Sequence, residues 1–368
     1  MLALDRRLHT GPFLYVAVPL CSVVLALVVG AVFLAVNGFD PLVIYREMLT
    51  ASFATRYGIE DTIVSATPIL LTGLAAAITF RFKLYNIGAE GQLVVGGICA
   101  AAAALVIGDT LSGPPAVLLV LVAGMLGGAA WMVVPALARI RLGTSEIITT
   151  LLLNYVAVLF ARLLIFGSNT PLRDPTSTNF PQGTRIPGGT FLMEFGTSRI
   201  HLGFVIGCAV AVLVFFLLRD TRLGFRARVV GDSPGAARYA GINAPATALA
   251  LLLISGALAG LAGASEVAGR AHRLDPNGLA VGFGYTGIIV AALALYNPLA
   301  VVPVAILLGG LANAGETLQS VSGLSVPSSI SVVLQGAILI FLLAAEIFLH
   351  YRVRRVHRLP ARPAEGSS

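Results

Sequence analysis

Glu90, Glu146, Glu316 and Glu346 stand within or at the ends of long apolar runs, accompanied by Gln92, Asn154, Asn313 and Gln335. A carboxylate at mid-bilayer costs about 2.5–3.5 kcal/mol on insertion scales, so such groups face a cavity, a partner side chain or the headgroups. Glu90 and Gln92 follow Gly88 at an expected helix start, where free backbone N–H groups favour an anion or an acceptor. As a functional set, Asn86, Glu90, Gln92, Asn154, Glu316 and Gln335 offer donors and acceptors to a polar, neutral solute crossing the bilayer. As a structural set they join helices, the reading favoured for Glu146 and Glu346 near span ends.

Other chemistry is missing. A phosphate-binding P-loop needs lysine before Ser or Thr, and the single lysine, Lys83, precedes Leu84. The five histidines (His9, His201, His272, His350, His357) include no pair at the one-turn spacing of a zinc protease. Cys21, Cys99 and Cys208 lie in apolar runs without metal-type spacing and are odd in number. Gly282-Phe283-Gly284-Tyr285-Thr286-Gly287 matches the dinucleotide fingerprint literally, but it opens an apolar window with no preceding strand. Close helix packing or a helix start is the better reading. No catalytic constellation emerges.

The elements that must position these residues follow from composition. Of 368 residues, 57% are hydrophobic and 11% charged, where a soluble domain carries roughly 25% charge. Apolar windows fall near 13–36, 62–80, 89–107, 115–138, 146–166, 201–218, 246–264, 283–296, 299–318 and 330–349. A span needs roughly 20 residues, so the expected fold is all-α: a polytopic membrane bundle of about ten helices. The window at 283–296 is short for a full span and reads as tilted, broken or re-entrant. The run after Arg6 and Arg7 is too long for a cleaved leader and reads as a retained first helix.

With the amino terminus inside, sixteen of the 24 basic residues fall in inner segments and seven in outer ones, leaving Arg162 within the fifth span. That excess places both termini on the cytoplasmic side and requires an even span count. Residues 1–350 are expected to form one membrane domain, and 351–368 a basic, disordered cytoplasmic tail suited to an anionic inner leaflet. No long soluble basic face exists for nucleic acid.

Gly124–Gly128 and Gly256–Gly260 are small-xxx-small pairs that let helices approach closely, without naming a partner. The stretch from Thr72 through the polar break at Arg81–Asn86 to Gly88 is echoed from Leu258 through a second break to Gly282–Gly287. An inverted repeat of about five spans accounts for the echo; so does chance likeness among Ala/Gly/Leu-rich helices.

The inner loop at 219–245 carries the clearest local design. Ser233 suits an N-cap, Pro234 the first helical position and Gly241 the stop. A helix of about two turns follows, too short to stand alone. Gly231, Asp232, Pro234, Ala236, Ala237, Arg238 and Gly241 make up this segment, small wherever close approach matters. Ala236-Ala237 followed four residues later by Gly241 resembles the coupling-loop signature of ABC-importer permeases, with Gly235 where that family has an acidic residue.

Further blocks stand in order: Tyr85 to Gln92, Gly143 to Tyr155, Gly231 to Ile242, Ser255 to Gly263, and Gly284 to Ile288 followed by Asn297-Pro298. Over roughly 60–350 the chain resembles the branched-chain amino acid/simple-sugar/nucleoside permease family of bacterial ABC importers, most closely its nucleoside-type members. The resemblance implies a multi-pass permease of the bacterial cytoplasmic membrane that does no chemistry itself. It implies ATP-binding subunits that hold ATP and Mg, a second permease forming a heterodimer, and an extracytoplasmic substrate-binding lipoprotein. It implies no cofactor in this chain, and a coupling role for the segment 231–241. On the residues alone a rival stays open, an ion-coupled secondary transporter with Glu90 or Glu316 as its proton site. A membrane-embedded enzyme lacks its metal or nucleophile set. The Pro-rich outer loop at 167–200 reads either as a docking surface for a binding protein or as a solvated linker.

Overall fold

The computed structural model describes residues 2–6, 12–108, 110–167, 169–177, 179–318 and 329–355. The chain begins with a short strand β1 (Leu2–Arg6) and continues through α1 (Pro12–Val36), α2 (Pro41–Leu49), α3 (Arg56–Phe80), α4 (Ala89–Ile107) and α5 (Pro114–Leu142). Then come α6 (Glu146–Arg162), α7 (Leu202–Asp220), α8 (Arg222–Asp232), α9 (Pro234–Tyr239) and α10 (Ala244–Glu266). The last elements are α11 (Pro276–Leu279), α12 (Phe283–Leu293), α13 (Pro298–Leu318), α14 (Ser329–His350) and the strand β2 (Tyr351–Arg355). Among the described residues nine stretches are long and apolar enough to span a membrane, and α14 contributes a further, shorter apolar run. The polytopic helical bundle expected from composition is therefore present.

Helix α3 is enclosed on nearly every side, α4 and α10 largely so, while α1, α6 and α7 expose most of their apolar surface. Glycine builds the centre. A Cβ on Gly128 would overlap the carbonyl oxygen of Gly256, and one on Gly260 that of Gly124. The two small-residue pairs are thus each other's partners, and they bring α5 against α10. Gly263 faces the Leu93 carbonyl in the same way, bringing α10 against α4. In lipid, where no aqueous driving force joins helices, such backbone approach supplies the packing energy.

The short eighth window is a broken helix. Between α11 and α12 the chain turns at Gly282 (φ 96°), and the eleven residues of α12 span ~16 Å at 1.5 Å per residue, about half a bilayer core. The two polar breaks that echo each other in sequence both place a helix N-terminus in the interior, and these starts abut: a Cβ on Gly284 would lie 2.7 Å from Glu90 Cα. The literal dinucleotide fingerprint is accordingly a helix start in close packing. Gly287 presses on Thr72, whose Oγ1 donates to the Phe283 carbonyl (2.9 Å).

Three loops hold more structure than expected. The segment before α3 forms α2, capped by Asp40 Oδ1 accepting from Leu42 N (2.9 Å), and α3 starts at Arg56 rather than near residue 62. The loop between α7 and α10 contains α8 as well as the short helix. The segment 169–200 is no solvated linker. Leu192 N donates to the Ala268 carbonyl (2.9 Å), Ile186 N to that of His272 (3.0 Å) and Gly113 N to that of Gly189 (2.8 Å), and Ile186, Thr190 and Leu192 are buried. It is strapped across one end of the bundle. Burial beneath the strap, with Phe191 stacked at 3.9 Å, pushes the His272 imidazole below its ordinary pKa.

Strands β1 and β2 pair antiparallel, Leu2 with Arg355 through Arg6 with Tyr351, which brings the two chain ends to the same end of the bundle. Ordered backbone thus extends five residues into the basic segment that follows residue 350. Residues 356–368 lie outside the described residues, as does the side chain of Glu346.

Candidate functional site

A helix break inside a membrane frees backbone donors and acceptors that lipid cannot satisfy. Around the break at Arg81–Gly88 this chain supplies the partners from α6. Glu146, Thr150 and Asn154, spaced four apart on one buried face, meet the loop in order. Tyr85 N donates to Glu146 Oε1 (3.3 Å), Ile87 N to Thr150 Oγ1 (3.3 Å) and Gly91 N to Asn154 Oδ1 (2.9 Å). Asn154 Nδ2 returns to the Ile87 carbonyl (2.9 Å) and reaches the Tyr285 hydroxyl (3.1 Å). Arg139 pairs with Glu146 at the mouth of this stripe.

Deeper in, Asn86 and Gln92 bond reciprocally: Asn86 Nδ2 donates to Gln92 Oε1 (2.8 Å) and Gln92 Nε2 to Asn86 Oδ1 (3.0 Å). Asn86 also donates to Ser255 Oγ (2.9 Å), which itself donates to the Ala75 carbonyl (2.6 Å). Glu90 caps the broken helix. Its Oε1 accepts from Gly282 N (2.7 Å) and its Oε2 from Gly284 N (2.6 Å), setting a negative charge on the positive end of α12. The structure therefore gathers Asn86, Glu90, Gln92 and Asn154 into one region and gives each a partner within the chain.

Gln335 and Glu316 sit elsewhere. Gln335 on α14 accepts from Thr286 Oγ1 (2.8 Å), tying the last helix to α12. Glu316 is exposed at the strapped end and lies 3.8 Å from Arg270, which also approaches Glu266 at 3.7 Å. These arginine and Glu316 side chains line a charged cavity of about 380 Å³ with Asp61, Arg199 and His272. Arg199 is paired with Asp61 at 3.1 Å. Glu266, 2% exposed with Oε1 unbonded among the described residues, and Tyr285 were missed by sequence reasoning. The signal for Glu266 was an acid four residues before Arg270 at the end of an apolar run. Tyr285 was concealed inside a glycine-rich stretch read only for its glycines.

A second opening lies on the side of the bundle. Glu90, Asn154, Tyr155, Arg162, Gly282 and Tyr285 help line an open crevice of about 450 Å³ between α6 and the start of α12. Polar groups stand at its inner end, apolar walls around them.

At the end of the bundle away from the strap, α8 and α9 form a hook. Gly231 packs on the Phe82 backbone, where an added Cβ would meet Phe82 Cα at 3.3 Å, so the hook rests beside the polar break. In α9 Ser233 Oγ accepts from Ala236 N (3.3 Å), and Pro234 occupies the first turn. Gly241 (φ 67°) ends it with the paired bonds Ile242 N to Ala237 O (2.9 Å) and Gly241 N to Arg238 O (3.1 Å). The short helix read from sequence is present. Ala237 alone faces inward; Asp232, Pro234, Ala236, Arg238 and Gly241 are exposed, and Tyr239 is 98% exposed. A small-residue knob is thus held out from the chain by one buried methyl group.

The family model of the branched-chain amino acid transport system permease component matches residues 58–343. A glucose ABC transporter permease protein of Haloferax volcanii, TsgB13, is 32% identical over 387 aligned positions, covering 100% of this chain and 98% of that protein. The guanosine ABC transporter permease protein NupP of Bacillus subtilis is 33% identical, covering 89% and 92%. The nucleoside ABC transporter permease protein NupB of Lactococcus lactis is 29% identical, covering 89% and 90%. The broken helices, the multi-pass bundle and these matches agree: the chain belongs to the branched-chain amino acid transport system permease family and is a membrane permease subunit, not an enzyme, working with ATP-binding and substrate-binding partners.

Proposed function

We propose that this chain is one of two unlike permease subunits of an importer in a bacterial cytoplasmic membrane, carrying a nucleoside or related simple sugar inward with ATP hydrolysed by partner subunits. In this reading both termini and the hook are cytoplasmic, following the excess of basic residues on that side. The strapped end faces outward and receives solute from a binding lipoprotein. The single observation that supports the reading best is the α9 knob: small, capped at both ends, exposed on all but one face, and resting beside the break at Phe82. Closure of an ATP-binding subunit around the knob would push α8 and α9 against that break and so shift α3 relative to α4. ATP and Mg belong to the partner. Arg139, Glu146 and the α6 stripe would carry the displacement into the bundle, because that stripe is bonded to the moving loop.

The exposed position Ala236, not the buried Ala237, is the one to test. Ala236→Trp keeps α9 seated through Ala237 but puts a bulky ring on the docking face. Uptake by the complete transporter is expected to fall by about tenfold or more, the scale of overpacking a close contact by 1–3 kcal/mol, while insertion and subunit expression hold. Uptake equal to that of the unaltered chain would contradict docking at α9. Transport by this chain alone on a proton gradient would favour the rival use of Glu90 or Glu316 as a proton site.

A further inference from the structure

The crevice between α6 and the start of α12 has no assigned occupant. It lies at the end of a discontinuous membrane helix, where transporter folds place solute. Two aromatic rings flank it, Tyr285 (39% exposed) and Tyr155 (64% exposed). Its polar groups retain bonding capacity. Each Glu90 oxygen accepts one backbone N–H and has a second lone pair free, and the Tyr285 hydroxyl, which accepts from Asn154, still has its proton to donate. Arg162 lines the same crevice eight residues beyond Asn154, ~12 Å along α6, and makes no ion pair among the described residues. Arg162 is the exposed last residue of α6, where a long basic side chain carries its charge to water at the membrane boundary.

Resting on the importer reading above, we propose that this crevice is this chain's half of the solute path. Tyr285 and Tyr155 stack on a planar base while the Glu90 carboxylate accepts N–H groups from its edge. That chemistry selects a solute bearing a nucleobase over a plain sugar, which offers hydroxyls but no flat ring. The second permease closes the open side.

The test uses the complete transporter in proteoliposomes with ATP supplied at the ATP-binding subunits, and tritiated guanosine and glucose as probes. Tyr285→Ala and Tyr155→Ala are each expected to lower guanosine uptake about tenfold, the scale of one lost base-stacking contact, whereas Tyr285→Phe keeps most of it. In a chain with Cys21, Cys99 and Cys208 replaced by serine, Arg162→Cys should react with a membrane-impermeant thiol reagent added outside, and guanosine but not glucose should slow the reaction. Unchanged uptake in both alanine variants, labelling that guanosine does not slow, or uptake of glucose in preference to guanosine would each overturn the proposal. If those variants are silent while Ala236→Trp stops transport, the crevice assignment falls and the importer reading stands. If Ala236→Trp is silent as well, docking at α9 falls with it.

Discussion

Glu90→Ala is expected to destabilise the chain by about 3 kcal/mol, the scale of removing one partner of a buried charged contact, and to cost most of its transport. The carboxylate receives Gly282 N and Gly284 N at the start of α12, where the preceding turn supplies no other acceptor. Alanine leaves both donors unpaired and removes the negative charge from the helix end. Glu90→Gln retains one carbonyl acceptor but turns an N–H₂ group toward the second donor, so it should fall between the two. Thermal unfolding of the purified complex in detergent, followed alongside uptake, reads both effects. Equal melting temperatures for the alanine variant and the unaltered chain would show that the broken helix does not depend on this cap.

Gly263→Val is expected to act through packing alone, with a larger loss. The added Cβ would overlap the Leu93 carbonyl oxygen and sit 2.7 Å from Gly97 N, both backbone atoms of α4 that no rotamer change can move. α10 and α4 must separate, and with them the α5 contact through Gly124, Gly128 and Gly260. A penalty above the roughly 1–3 kcal/mol of ordinary overpacking follows, seen as loss of monodisperse protein on size exclusion after solubilisation. Gly336→Val in α14, where nothing lies within 4 Å of the added carbon, is the control and should behave like the unaltered chain. A well-behaved Gly263→Val protein would contradict the close helix trio.

Much of this arrangement was readable before any coordinates. Apolar run length gave the spans, because a bilayer sets helix length almost without regard to tertiary context. Ser233, Pro234 and Gly241 defined α9 for a similarly local reason: caps act within a single turn. The shortness of the window at 283–296 left a tilted, a broken and a re-entrant helix open, and the structure shows the broken one. What stayed hidden depends on pairing across the bundle. Gly124–Gly128 and Gly256–Gly260 were visible as approach sites, but only the three-dimensional packing made them partners. Glu146, Thr150 and Asn154 look like scattered polar residues until the loop at Tyr85–Gly91 is laid against them. The strap at 169–200 is polar enough to read as a loop, and its order comes from bonds to distant residues such as Ala268 and His272; α2, by contrast, packs through Ile44 and Met48. Of the polar residues singled out in the sequence, Asn86, Glu90, Gln92 and Asn154 lie in one region, while Gln335 ties α14 to α12 and Glu316 lies apart at the strapped end; Tyr285 and Tyr155, which flank the proposed path, were not among them.

That movement originates outside this polypeptide and enters through α9 is best tested by reconstituting it in two forms, alone and with its ATP-binding, second permease and solute-binding partners. Guanosine uptake into the vesicles is followed with ATP present, with a proton gradient imposed, and with both. The account predicts uptake only in the assembled form, only with ATP, and undiminished by a protonophore. Accumulation by the solitary chain driven by the gradient would contradict it.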